Sequence, residues 1–291
     1  MSPDWPTESL MASPSEVRRA QPGDQADGLR RLFSARTVRF IPVVANPFVA
    51  HEDALVLQLS VALEQLGLYT LVVDVGDPGS AGRECFSPFP SSEHRSTELV
   101  DRITVLTDRT AHLRARGLSA RWLDGRGSTQ AFLQAVIEAA PLSQAVLVHG
   151  SASELARMFG RHDAQLSQPR PIVLCDERPE SMTHAYAALK VLSQRSDWLT
   201  HDLLVSTAAG SSSARRVQDR LAQCAALFFG GVRHDAFEID PSAVSLPATA
   251  SASLMAFMED SLKAAAAFVL PEMGRRGPAQ VTSSPHWQPM V

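Results

Sequence analysis

The residues able to do chemistry fall in a few short strings. Gly150-Ser151-Ala152-Ser153 follows an apolar run and puts a serine where a strand ends. The flanking glycines of a G-x-S-x-G nucleophile turn are missing, so no nucleophile is assigned there. His149 ends the same run and is expected to be an ordinary strand-end histidine, with a general base as the sharper alternative. Asp176-Glu177 closes another apolar run; the pair could ligate a cation, but solvated carboxylates are expected. Cys85, Cys175 and Cys224 are odd in number, widely spaced and without metal or redox spacing, which predicts no metal site and a reducing compartment. Of the 27 basic residues only Lys190 and Lys263 are lysines, and neither follows a glycine-rich phosphate loop.

These strings need elements to position them. Val38–Ala45 reads as a strand, though Pro42 removes one ladder donor. Residues 52–66 form an apolar helix closed by Gly67, and 69–74 a buried strand. Loop is expected over 76–95, helix over 97–116, a short strand over 120–123 and helix over 128–140. Strands follow at 145–148, 171–175, 203–205 and 235–239, with helices at 152–160, 180–194, 212–229 and 252–269. Runs such as Leu71-Val-Val-Asp74 and Ala145-Val-Leu-Val148, apolar on both faces and separated by helices, predict a mostly parallel α/β sheet covered on both sides. Ligands in such sheets bind beyond the carboxyl ends of the strands.

With 291 residues, 45% hydrophobic and 20% charged, the chain can bury a large core, which excludes a fully disordered chain, a collagen or a coiled-coil rod. A net charge of −4 gives no overall field for nucleic acid or anionic lipid. No apolar run is long enough to span a membrane and the N-terminus lacks a signal pattern, so a cytoplasmic protein is expected. The expected organisation is a disordered tail over 1–22, a short helix over 23–35, an α/β domain over 36–270 and a second tail over 271–291. In the short helix Asp24 is the N-cap, and Ala26, Leu29 and Phe33 share a face.

The order strand, loop, apolar helix, Leu66-Gly67 and strand ending in Asp74 resembles the MinD/ParA family of P-loop ATPases. The resemblance implies a P-loop NTPase fold with a phosphate loop after the first strand. Counted back from Leu66-Gly67, that loop falls on Asn46–Ala54, with Glu52 at the main lysine, Asp53 at the magnesium threonine and Pro47 at the signature lysine. All the loop glycines are absent. Asp74 matches one family aspartate, but Gly76 replaces a second acidic residue, His149 a magnesium-orienting aspartate and Ser206-Thr207 an adenine-side asparagine. Missing donors and misplaced carboxylates predict a pseudo-ATPase that needs neither ATP nor magnesium. An ATPase with an altered loop is the alternative.

Within that family the chain resembles the FlhG/FleN flagellar-number regulators. Asp24-Gln-Ala-Asp-Gly-Leu-Arg-Arg-Leu32 is similar to their DQAxxLR element, and Arg178–Leu192 to their PEPTSITDAYALIKVL stretch; Ala214–Gly230 is a looser match. The resemblance implies that the N-terminal element binds FlhF, a signal-recognition-type GTPase, and stimulates its GTP hydrolysis. Gln25 would contact the GTPase site, with Asp24 as cap, Ala26 and Leu29 as apolar anchors and Arg30 as a polar contact. It also brings in flagellar transcription activators and switch (C-ring) proteins as candidate partners, and a cell-pole or inner-membrane address. A non-activating structural adaptor is the further alternative. Family members carry a membrane-targeting helix near the C-terminus. Here Leu254, Phe257, Met258, Leu262 and Ala265 make an apolar face, but Glu259 and Asp260 oppose Lys263, so packing on the domain is expected over membrane contact.

Overall fold

The computed structural model describes residues 36–76, 98–160, 168–207, 213–229, 234–239 and 249–270. The partner-binding helix expected over 23–35, both tails and the loop from residue 77 lie outside the described residues. Thr37–Leu270 form one compact unit.

β-branched and leucine-rich runs, apolar on both faces, become the central strands. The elements in chain order are β1 (Arg36–Val44), α1 (Glu52–Gln65), β2 (Thr70–Asp74), β3 (Ile103–Val105), β4 (Thr110–Arg114) and a 3-10 turn (Ser119–Trp122). There follow α2 (Gln130–Ala139), β5 (Ala145–Gly150), α3 (Ala152–Phe159), β6 (Ile172–Cys175), α4 (Pro179–Ser196), β7 (His201–Ser206), α5 (Ser213–Phe229), β8 (His234–Ile239), α6 (Ala252–Lys263) and β9 (Ala266–Leu270). The strand order is β3-β4-β2-β5-β1-β6-β7-β8, with β9 also paired to β1. Pairs among β1, β2, β4, β5, β6, β7 and β8 are parallel, and β3 runs antiparallel to β4. This is the mostly parallel α/β sheet that the sequence predicts. Pro42 is tolerated in a central strand because the β6 ladder with β1 starts only at Val43.

The period-two alternation of each strand sends its side chains to two separate cores. One core gathers Phe40, Val73, Val148 and Val205 with α2, α3, α4 and α5. The other gathers Ile41, Val72, Leu147 and Leu204 with Leu55, Leu59 and Leu63 of α1 and Leu254 and Met258 of α6. Helices therefore cover both faces, as the connections of a parallel sheet require.

Three expectations fail. The helix expected over 97–116 is helical only to Val100 among its described residues and then forms the β3–β4 hairpin. The hairpin is tied down by Glu64 of α1, which accepts from the Thr107 and Thr110 hydroxyls at 2.7 and 2.8 Å. The strand expected over 120–123 is instead the 3-10 turn, because β4 already fills the place beside β2. The helix expected over 252–269 stops at Lys263, and Ala266–Leu270 joins β1 as β9, with Phe268 set edge-on to Phe40 at 5.0 Å.

Candidate functional site

The chain leaves β1 toward β2 and β4 on one side, returns at β5, and continues through β6 to β8 on the other. The order thus reverses about β1, and the crevice beyond its carboxyl end is where an open α/β sheet receives a ligand. The segment Ala45–His51 lines it.

That segment is shaped by Asn46 and Pro47. Asn-Pro favours a turn, and Val49 N–H closes one by donating to Asn46 O at 2.9 Å, with Pro47 at the second position. Phe48 N–H donates to Asn46 Oδ1 at 3.2 Å, Pro47 has no N–H, and Asn46 N–H donates to Glu52 Oε1 at 2.5 Å. Every backbone donor from Asn46 to Val49 is therefore absent or used within the chain. His51 sits in the left-handed region at φ 58° and turns the chain into α1, whose first turn begins with Glu52 and Asp53.

Asn46 is buried and reaches across the sheet. Its Nδ2 donates to Leu174 O, Ser181 O and Ser181 Oγ at 2.9, 3.0 and 3.0 Å, joining β1 to β6 and to the first turn of α4. Ser181 Oγ also accepts from Asp176 N–H at 3.0 Å. His149, at the end of β5, is buried, and its Nε2 lies 3.1 Å from Glu52 Oε1 without the alignment of a hydrogen bond. His184 of α4 faces the exposed Phe48 ring at 5.9 Å. Its pKa is lowered by burial, which outweighs the nearby Glu52 charge.

The sequence-named positions divide accordingly. Asn46, Pro47, Glu52 and His149 come together at the β1 turn. Asp53 is exposed on the first turn of α1. Asp74, in register with His149 across the β2–β5 pair, is taken up by Arg116 Nε at 2.5 Å and by Gly76 N–H at 3.1 Å. Arg116 is correspondingly held more basic, by the hydrogen bond and charge of Asp74. Thr207 N–H donates to Ile239 O at 2.9 Å, which joins the ends of β7 and β8. Asp24, Gln25, Ala26, Leu29 and Arg30 lie outside the described residues.

One minor reading is corrected. Asp176 is not a solvated carboxylate: it is buried and bound by Arg178 at 2.7 Å, while Glu177 is exposed. Ser151 is the N-cap of α3, accepting from Glu154 N–H at 3.3 Å and donating to the Glu154 carboxylate at 3.2 Å, which accounts for a serine at that strand end. Among the described residues no three His, Cys, Asp or Glu side chains are grouped to hold a metal ion, and no helix is long and apolar enough to cross a membrane. Sequence reading missed Ser181, His184 and Arg116. None of them has a spacing signal, since each meets the crevice through sheet order rather than through neighbours in the chain.

No protein-family model and no curated protein matches the sequence. Among solved structures the chain is similar to the MinD cell division protein of Aquifex aeolicus, at 11% identity and a TM-score of 0.46, over 77% of this chain and 96% of that one. It is also similar to cobyrinic acid a,c-diamide synthase of Mycobacterium smegmatis with bound ADP and magnesium, at 15% identity and 0.47, over 78% and 94%. A plasmid partition protein of Borrelia burgdorferi follows at 10% and 0.44, over 78% and 96%. At these values the similarity concerns the course of the chain, and nothing about ligand or chemistry follows from it.

Proposed function

We propose that the chain is a nucleotide-independent regulator built on a MinD/ParA-like body, acting on a partner rather than on ATP. The observation that carries this reading is the β1 turn. A polyphosphate needs several converging backbone donors and a cation. Here the donors of Asn46, Phe48 and Val49 are spent internally, Pro47 has none, and Glu52 and Asp53 place carboxylates at the start of α1. The partner is read from sequence. The Asp24–Leu32 element, similar to that of the FlhG/FleN regulators, would bind the GTPase FlhF and raise its turnover, with Gln25 at the reacting centre. Flagellar transcription activators and switch proteins are further candidates on the same ground, as is recruitment to the pole or inner-membrane face.

Calorimetry of the full chain with ATP and magnesium tests the first half. No binding at micromolar affinity is expected, and Glu52→Lys should not restore it, because Pro47 and the occupied turn still deny donors. Micromolar binding by the wild-type chain would overturn the reading in favour of an ATPase with an altered loop.

A further inference from the structure

The groups at the β1 turn do more than withhold donors. Asn46 N–H, from the turn after β1, and His149 Nε2, from the end of β5, approach the same atom, Glu52 Oε1, at 2.5 and 3.1 Å. The His149 side chain is 8% exposed, and Nε2 has no aligned hydrogen-bond partner among the described residues. A buried polar atom without a partner is costly and rare, so a nitrogen held against a carboxylate marks a place shaped for one. The Glu52 side chain is 17% exposed, so the position it fills lies near solvent.

We infer that this convergence is a single-carboxylate site filled from within: Glu52 is the resident anion that latches the β1 turn, and a small external carboxylate takes its place when the side chain is removed. A monoanion is the class that fits. One backbone donor and one imidazole nitrogen face one oxygen, and the neighbouring donors from Phe48 and Val49 are already used. A second negative charge would meet Asp53 on the same helix turn. The inference deepens the nucleotide-independent reading and rests on it, since the latch is what occupies the crevice.

The test is thermal unfolding of the full chain with sodium formate, against sodium chloride at equal ionic strength. Glu52→Ala is expected to lower the midpoint by about 5 °C, as loss of a part-buried charge-assisted hydrogen bond does in a body of this size. Formate, but not chloride, should then restore at least half of the loss and saturate. The wild type should not respond to formate, and Glu52→Ala with His149→Phe should lose the response. Equal stability of Glu52→Ala, or equal rescue by chloride, would overturn the latch.

If Glu52→Ala fails to fold, the Asn46 amide proton is compared in the wild type and Glu52→Gln. A downfield resonance that moves upfield when the acceptor loses its charge is expected, and an unchanged resonance would overturn the inference. ATP enters neither arm. Failure here with the wild type still blind to ATP sinks the latch alone, whereas ATP binding sinks the reading on which it rests.

Discussion

An asparagine amide can donate twice and accept through its carbonyl, and Asn46 uses both ends. Its Nδ2 serves Leu174 O and Ser181 O, its Oδ1 takes Phe48 N–H, and the residue is buried. Removing the amide takes one donor from each of two interior carbonyls and from the Ser181 hydroxyl. Asn46→Ala should therefore cost about 3 kcal/mol, from the loss of several buried hydrogen bonds. Asn46→Asp has nearly the same shape but turns the donor into an acceptor facing two carbonyls, and adds charge beside Glu52. It should cost more than Ala. Urea unfolding of both variants reads this order, and an aspartate variant as stable as wild type would show that the amide makes no such bonds. Nothing in the string Asn46-Pro47 announces this role beyond a turn, because both carbonyl partners are more than a hundred residues away.

At the scale of elements, Arg170 does comparable work. It precedes β6, its Nε holds the buried Asp202 of β7 at 2.9 Å, and a terminal nitrogen meets Asp260 of α6. Its backbone N–H donates to Ala264 O at 3.0 Å, where α6 gives way to β9. Arg170→Ala takes the guanidinium away from an interior carboxylate and should cost about 3 kcal/mol. Asp260→Ala removes only the half-exposed partner and should cost under about 1 kcal/mol. Chemical denaturation separates the two, and equal losses would mean that the exposed pair holds α6. The place of α6 also explains what sequence could tell. Helices such as Glu52–Gln65 and strands such as Ala145–Gly150 were legible because burial on one stripe, or on both faces, writes itself into apolar spacing. Ala264–Leu270 carries no such mark. Its alanines favour helix, and only the β1 edge and the Phe40 ring make Ala266–Leu270 a strand. The β3–β4 hairpin was hidden in the same way, since its anchor is Glu64 on another element. The crevice positions Asn46, Pro47, Glu52 and His149 were legible by placement, but not the bonds among them.

On the scale of the whole molecule, the proposal divides the labour between an α/β body that keeps its crevice filled and an N-terminal element that meets the partner. Such a division predicts that the two parts fail separately. A peptide of residues 1–35 should raise FlhF GTP turnover without the body, because the groups assigned to the contact all lie within Asp24–Leu32. Gly28 inside that string weakens an isolated helix by about 1 kcal/mol relative to alanine, so the peptide should order on docking and bind with limited affinity. Gln25→Ala in the full chain should abolish stimulation yet keep most of the binding, since Ala26 and Leu29 supply the apolar contact. Leu29→Asp should remove binding itself. By contrast, Asn46→Ala and Arg170→Ala loosen the body and should leave stimulation by the full chain untouched. Single-turnover GTP hydrolysis alongside a binding measurement on the same variants resolves these cases. Full stimulation by Gln25→Ala would refute the activator role, and binding without stimulation by the wild type would make the chain an adaptor.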